Sequence, residues 1–265
     1  MLPLTFPPIA LSDWKDTRDT LHKYCRLVGA IREAMSKPLP NALHTNLLIS
    51  RRGFTTSQIL KDDSSTDKFF EVILDVSHRR LRIESNYREP LSIALTGQSL
   101  NALCDETCSL LTDIGIKPPL ERPSFLEGIR GQFDSELVKT YWKAISSTRR
   151  VLKKIKAELG NEAGPIQLRV DNLTLSLTWY CNKIFSSSSM EQIEFGFSTG
   201  NDLFEEAFFF IATFPDEQAL DKILSDKKKY FPTNDNSKLI LPYSEVSKTK
   251  NGEQKLLNFY RCVLQ

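Results

Sequence analysis

Histidine is scarce in this chain of 265 residues. The three that it has, His22, His44 and His78, all lie in its first third. A transition-metal site built mainly of imidazole ligands could draw on no others. The chain also lacks a nucleophile elbow, a phosphate-cradling glycine loop and a zinc signature. We therefore expect no stoichiometric metal and no cofactor.

The five cysteines are an odd number without regular spacing, so they indicate no disulfide framework. Such a set is typical of thiols in a reducing compartment, which predicts a cytoplasmic protein. Cys104 and Cys108 are four residues apart on a predicted helix, so they share one face and could hold a metal. We prefer to interpret them as small apolar fillers beside a core stripe. The residues of that stripe are Leu100, Leu103, Thr107, Leu110 and Ile114.

Long apolar runs are absent as well. No stretch reaches the ~18 uninterrupted apolar residues of a membrane span. The first residues have three prolines and no charged leader, unlike a signal peptide. A formal charge of +2 gives no general reason to expect an acidic partner. We expect a soluble protein that binds neither a membrane nor nucleic acid.

Basic side chains crowd one place, the end of the second long predicted helix. They are Arg149, Arg150, Lys153, Lys154 and Lys156. The segment 184–221 has eight acidic residues and no Lys or Arg, so the two stretches can pair within the fold. The alternative is a nucleic-acid patch, but interleaved aromatic residues and a known reader motif are missing.

What the chain does have is a polar hairpin near residue 50. Leu47 to Ser50 and Phe54 to Ile59 have strand character, and Arg51-Arg52-Gly53 separates them. Strand formers on both sides of a glycine-bearing reversal predict a β-hairpin. Its polar positions are unusually many, since Arg52 at the tip is followed by Thr55, Thr56 and Ser57.

A long amphipathic helix is predicted before the hairpin, from an N-cap at Asp13 to about Met35. Its core stripe is Trp14, Thr17, Leu21, Tyr24, Val28, Ile31 and Met35. A second stripe, about 100° further round, consists of Arg18, His22, Cys25, Gly29 and Arg32. A glycine inside a helix often marks a close approach by backbone or ligand. Alternatively, this flank is half exposed and its charges are solvated.

The second half of the chain resembles a worn copy of the first. A helix from Asp134 or Ser135 to Leu159 has its core stripe in phase with that of the first helix, and a hairpin with an Asp171-Asn172 turn follows it. We predict one α+β globular unit, 1–265, built of two pseudo-repeated halves, 10–116 and 132–265. Each half is predicted to contain a helix, a hairpin, further strands and a second helix, in that order. The strands should form mostly antiparallel sheet, against which the long helices pack.

Two motifs resemble an uncharacterised, mainly bacterial family of domain-of-unknown-function proteins. The first is W-x-x-T-R-x-T-L-H followed by V-G-x-x-R, and the second is R-G-(L/F)-T-T-S. They are matched here by Trp14, Thr17-Arg18, Thr20-Leu21-His22, Val28-Gly29, Arg32 and Arg52 to Ser57. The resemblance continues at Gly196-Phe197, Gly200 and Phe208 to Pro215, so it covers most of the chain.

The chain departs from that family at two places. Ala42-Leu43 stands where the family more often has His-Trp, and Gln167 stands where it often has His. Any role that needs those histidines is in doubt for this chain. The family has no established activity, so the resemblance implies a candidate site and no chemistry.

Two hypotheses of different kinds follow. In the first, Arg18, His22 and Arg32 face Arg52, Thr55, Thr56 and Ser57 across one cleft that binds a small carboxylate or phosphate. His22 is then a candidate general acid or base, which would make the protein an enzyme. In the second, the same residues form a buried polar network in a non-catalytic interaction module or scaffold. An acid such as Glu191 or Glu194 could then be their internal partner.

Overall fold

The computed structural model describes residues 6–62, 67–117, 128–181, 191–200, 204–214, 231–232 and 238–264. The chain divides into two compact units, each assembled from separate stretches of sequence. The hairpin unit consists of Trp14–Trp142 and Gln167–Leu173. The C-terminal unit consists of Met1–Asp13, Lys143–Ile166 and Thr174–Gln265.

The hairpin unit contains most of one long helix, one complete helix, the start of a third helix and a set of antiparallel strands. Its helices are α1 (Leu11–Met35, almost all of it in this unit), α2 (Leu100–Asp113) and the first residues of α3 (Ser135–Leu159). Its strands are β1 (Leu47–Ile49), β2 (Gly53–Thr55), β3 (Ile59–Leu60), β4 (Phe69–Asp75), β5 (Arg80–Ser85), β6 (Leu91–Ala94) and β7 (Gln167–Arg169). The strand order is β7-β1-β2-β4-β5-β6, with β3 also on β4. All of these pairings are antiparallel.

The predicted first helix is confirmed, since α1 ends at Met35 and buries its core stripe apart from Met35 itself. It begins at Leu11, so Asp13 lies in the first turn and is not the N-cap. For α3 the predicted cap is confirmed, because Asp134 Oδ1 accepts hydrogen bonds from the backbone N–H groups of Glu136 (2.8 Å) and Leu137 (3.1 Å).

Aromatic rings fill the space between helix and hairpin. The ring of Trp14 lies 4.8 Å from that of Tyr141, and Phe54 meets Trp142 edge-on at 5.6 Å. Thr17 of the W-x-x-T-R motif accepts a hydrogen bond from the backbone N–H of Asp134 at 3.1 Å. The N-terminal motif therefore holds the start of α3 as well as the core.

The C-terminal unit contains five antiparallel strands, in the order β8-β9-β10-β12-β11. These strands are β8 (Thr174–Cys181), β9 (Glu191–Ser198), β10 (Phe208–Phe214), β11 (Phe231–Pro232) and β12 (Lys238–Pro242). Its further helices are α4 (Tyr243–Ser247) and α5 (Gly252–Arg261). β10 is an apolar central strand, because it pairs on both sides and buries all but its last residue.

Within each unit, the described strands pair antiparallel and long helices accompany them. The predicted α+β class is thereby confirmed. The internal repeat and the division into halves stay predictions, and the serine-rich stretch 185–189 lies outside the described residues. In the part of the chain that the structure describes, no helix has both the length and the apolar character needed to cross a bilayer.

The basic end of α3 is engaged inside the C-terminal unit. Lys154 pairs with Glu253, and Glu158 pairs with Arg261 at 2.6 Å. Lys156 Nζ donates to the carbonyl oxygen of Gly164 at 2.7 Å. Lys154 and Lys156 of the basic cluster thus have partners within the fold, at Glu253 and Gly164, and both partners lie outside the predicted acidic segment 184–221.

Candidate functional site

A β-bulge organises the strand that carries the T-T-S motif. Pairing with β4 stops at Thr55 and resumes at Ile59, so residues 56–58 lie between the two paired positions. The facing stretch of β4 has only two residues, because the corresponding partners are 73 and 70. One extra residue in a strand is a β-bulge, which bends the strand and disrupts the ladder. Ser57 carries the bend, with φ 61° in the left-handed region that few non-glycine residues adopt.

The two threonine hydroxyls before Ser57 replace the lost ladder bonds. Thr56 Oγ1 accepts from the backbone N–H of Val72 at 3.0 Å and donates to the carbonyl of Ser57 at 2.8 Å. Thr55 Oγ1 accepts from the N–H of Ser57 at 2.9 Å and donates to the carboxylate of Glu71. Both threonines are buried, so their hydroxyls are structural parts of the bulge.

Arg32 binds this bulge from α1. Its Nη1 donates to the carbonyl oxygen of Thr56, and its side chain is buried, with the residue 6% exposed. Its Nε is buried without a hydrogen-bond partner in the described residues. Burial lowers the pKa of Arg32, and no carboxylate of the described residues forms an ion pair with its guanidinium. A buried cation without a counter-ion is costly, which makes Arg32 the most unusual group of the site.

His22 lies against the chain that follows β7. Its Nε2 donates to the carbonyl oxygen of Val170 at 2.8 Å, which places a proton on Nε2 and leaves Nδ1 for other roles. Burial lowers the pKa of His22, and the positive charges of Arg26 and Arg18 lower it further, while the Val170 bond and Asp19 oppose the shift. The imidazole is therefore held in its neutral form.

Gly29 explains how this segment comes so near to α1. A Cβ atom at Gly29 would lie 2.8 Å from Cγ1 of Val170, closer than carbon atoms pack. The close approach expected at Gly29 is thus made by the side chain of the residue that follows β7, 141 positions later in the sequence. The hydrogen bond from His22 and the missing side chain at Gly29 therefore let Val170 pack directly against α1.

The structure separates the other predicted residues. Arg18 bonds to Asp19 at 2.7 Å and its side chain is 18% exposed. Arg52 is half exposed at the hairpin tip and pairs with Glu84 at 2.6 Å. Glu191 begins β9, where its backbone is opposite Cys181, and its side chain lies outside the described part.

The helix itself limits which cations one small ligand can reach. An α-helix rises 1.5 Å per residue, so Arg18 and Arg32 are roughly 21 Å apart along α1, and His22 is roughly 15 Å from Arg32. A small carboxylate or phosphate cannot touch all three. Of the proposed cleft, the structure joins Arg32 to the bulge at Thr56 and places His22 and Arg18 further along the helix.

Sequence reasoning missed two contributors, Val170 and Glu71. Val170 ends an alternating strand and shows no sign of its distant partner, whereas Glu71 faces the hairpin only because of the bulge register. Asn46 Nδ2 also donates to Gln167 Oε1 at 2.9 Å, and the Nε2 of Gln167 has no partner within the described residues. Gln167 thus joins β7 to the residue before β1.

Metal chemistry has little support from the geometry. Across the described ranges, no three His, Cys, Asp or Glu side chains are grouped as metal ligands. The expectation that no metal is bound stays a prediction.

The fold and the site together define an α+β protein in which a buried arginine binds a bulged hairpin. The model of a family of unknown function, DUF5996, matches residues 6–265. The chain belongs to this family, and the resemblance found in its motifs is thereby confirmed as one to a domain of unknown function. No curated protein and no solved structure is significantly similar to the chain.

Proposed function

We propose that the protein binds a small anion, a carboxylate or a phosphate, at Arg32. The observation that carries the proposal is a buried guanidinium that has, among the described residues, no carboxylate partner and no acceptor for its Nε. The Nε–H group belongs to the edge of the guanidinium that forms paired, charge-assisted bonds with planar oxyanions. An anion there would supply both the missing acceptor and the missing counter-charge.

The bulge contributes to this proposal by fixing the guanidinium. Nη1 is held by the carbonyl of Thr56, so the Nε edge needs little further ordering when an anion arrives. Ser57 follows that carbonyl directly and is partly exposed, so its hydroxyl is the candidate second donor. His22 lies roughly 15 Å from Arg32 along α1, so a small anion bound at Arg32 does not reach its imidazole.

A second candidate function, a non-catalytic scaffold or interaction module, is favoured by a different observation. Thr55, Thr56 and Arg32 satisfy one another and the backbone of the bulge, and His22 holds Val170. In that case Arg32 is a structural link between helix and hairpin. Both proposals include a cytoplasmic location and no nucleic-acid partner.

The experiment is thermal unfolding of the full chain in sodium phosphate and in sodium chloride at equal ionic strength. A site-bound anion stabilises the folded state by about 2.7 kcal/mol at 100 times its Kd. For a chain of this size, that corresponds to a rise in Tm of roughly 5–11 °C. Citrate in place of phosphate separates carboxylate from phosphate recognition.

Arg32→Lys is the decisive variant, because it keeps the charge and removes the Nε–H group. We expect it to lose the phosphate-dependent rise in Tm. Arg18→Ala is the matched control, since it removes an arginine from the same helix about 21 Å away and should keep the rise. If wild-type protein shows no anion effect and Arg32→Lys loses ~1–3 kcal/mol in plain buffer, the scaffold function is supported instead.

A further inference from the structure

Two thiols meet on consecutive turns of α2. Cys104 and Cys108 are four residues apart, and the thiol of Cys104 hydrogen-bonds to the sulfur of Cys108. Cys104 is buried, whereas Cys108 is partly exposed and so is accessible from solvent. Neither the anion site nor the core stripe of α2 explains why two sulfur atoms should touch at the surface.

The hydrogen bond changes the chemistry of Cys108. It lowers the pKa of that thiol to about 7, against the opposing effects of burial and of the negative charge of Asp105. Cys25 shows the ordinary behaviour of a buried thiol, because burial raises its pKa well above the usual range. At neutral pH a large fraction of Cys108 is thiolate, which is the nucleophilic form of cysteine.

We propose that Cys104 and Cys108 form a dithiol that hydroperoxides oxidise reversibly, with Cys108 as the attacking sulfur and Cys104 as the resolving one. The partly exposed sulfur meets the oxidant, and the buried sulfur beside it is protected until it is needed. The proposal is independent of the anion site at Arg32.

The reaction balances in two steps. In the first, the Cys108 thiolate attacks the terminal oxygen of the hydroperoxide, the O–O bond breaks, and sulfur is oxidised to a sulfenic acid while the peroxide leaves as an alkoxide or hydroxide. In the second, Cys104 attacks the sulfenic sulfur, an S–S bond forms, the S–O bond breaks, and hydroxide leaves with the thiol proton as water. Two electrons pass from the two sulfurs to the peroxide.

The helix opposes the second step. Side chains four residues apart on a helix have Cβ atoms about 5–6 Å apart. A disulfide needs a Cβ–Cβ separation of about 3.5–4.5 Å. Closing the bond therefore distorts α2 between Cys104 and Cys108, and the strain makes the bond easy to reduce. Oxidation of the pair should loosen this helix, and a dithiol reductant should restore it.

The test treats the reduced full chain with stoichiometric hydrogen peroxide and maps its thiols by mass spectrometry. We expect the peptide that contains both cysteines to lose two hydrogen atoms, and dithiothreitol to restore them. Iodoacetamide labelling of Cys108 should be half-maximal near pH 7, well below the value of about 8.5 that is usual for a thiol.

Two substitutions of Cys104 separate its two roles. Cys104→Ser keeps a hydrogen-bond donor but cannot form a disulfide, so Cys108 should still label near neutral pH and should accumulate a sulfenic acid that dimedone traps. Cys104→Ala removes the donor, so the labelling midpoint of Cys108 should rise toward about 8.5. Circular dichroism and the urea midpoint of each reduced variant verify that it is folded.

The proposal is overturned if the labelling midpoint of Cys108 lies at the usual thiol value of about 8.5, or if Cys104→Ala leaves that midpoint unchanged. It is equally overturned if peroxide produces no bond between the two cysteines in the wild type while Cys108 is consumed. A sulfenic acid that persists in the wild type as long as in Cys104→Ser would show that Cys104 does not resolve it.

Discussion

Each residue type in the R-G-F-T-T-S motif is explained by a different contact in the structure. A Cβ at Gly53 would lie 1.9 Å from the carbonyl oxygen of Leu74, so no side chain fits there. Phe54 packs on the rings of Tyr141 and Trp142. The threonines bond the bulge, and Arg32 bonds its carbonyl. Only the Nε of Arg32 is left without a structural reason, which is why the anion proposal rests on it.

His22 should make the stability of the protein depend on pH in one direction. Its folded-state pKa lies below the unfolded value of about 6.5, so the unfolded chain binds more protons as the pH falls. The stabilisation is complete above about pH 6.5 and is lost as the pH falls toward the folded pKa. We expect urea unfolding at pH 7.5 and pH 5.5 to show this loss.

His22→Gln is the control for that measurement. The side-chain amide can donate to the carbonyl of Val170 as the imidazole does, but it does not titrate in this range. We expect the variant to lose less stability between the two pH values than the wild type. Parallel pH curves for the two proteins would show that the other histidines or the carboxylates account for the whole effect.

Among the elements, the bulged strand gives the sharpest prediction. In a regular strand, valine would be favourable at position 57 and glycine unfavourable. With φ at 61°, the order reverses, because left-handed backbone is costly for a β-branched residue and free of steric cost for glycine. We expect Ser57→Val to lose roughly 1–3 kcal/mol in the free energy of unfolding and Ser57→Gly to be neutral or stabilising.

Chemical denaturation of both Ser57 variants checks this expectation. Gln58→Val is the matched control, since the next residue is exposed and is not recorded with positive φ. It should change stability by no more than about 0.5 kcal/mol. A stabilising Ser57→Val would mean that the strand is continuous in solution and that the bulge is wrong.

The sequence predicted α1, α2, α3 and the hairpin, because their periodicity and caps are local signals. The bulge was not predicted, because Thr55, Thr56 and Ser57 read as a continuous strand and the extra residue exists only relative to β4. The short helix α4 was missed since Tyr243 continues the apolar pattern of β12. For the site, the sequence indicated Arg32 and the threonines as unusual, but helix length alone already argued against Arg18 and Arg32 sharing one small ligand.

At the scale of the whole molecule, the hairpin unit needs residues from beyond the first half. β1 pairs with β7, and Trp14 and Phe54 pack on Tyr141 and Trp142. Sequence patterns do not reveal such partners, because strand pairing over a long separation depends on the assembled core. The predicted half 10–116 has none of these partners.

We therefore expect a fragment of residues 10–116 to lack cooperative unfolding, as measured by circular dichroism in urea. A fragment of residues 1–173 contains every strand of the hairpin unit and is the control, in which a cooperative transition should return. A sharp transition in the shorter fragment would show that the first half is an independent folding unit. The repeat hypothesis would gain support from that outcome.

The pairing of β1 with β7 also has a consequence during synthesis. The bonded residues Asn46 and Gln167 are 121 positions apart, and ribosomes add about 5–20 residues per second. One edge of β1 therefore stays unpaired for roughly 6–24 s, until β7 has been translated. An unpaired strand edge is a template for any neighbouring chain. On crowded polysomes, the nascent hairpin unit is thus the part of this protein that most needs a chaperone.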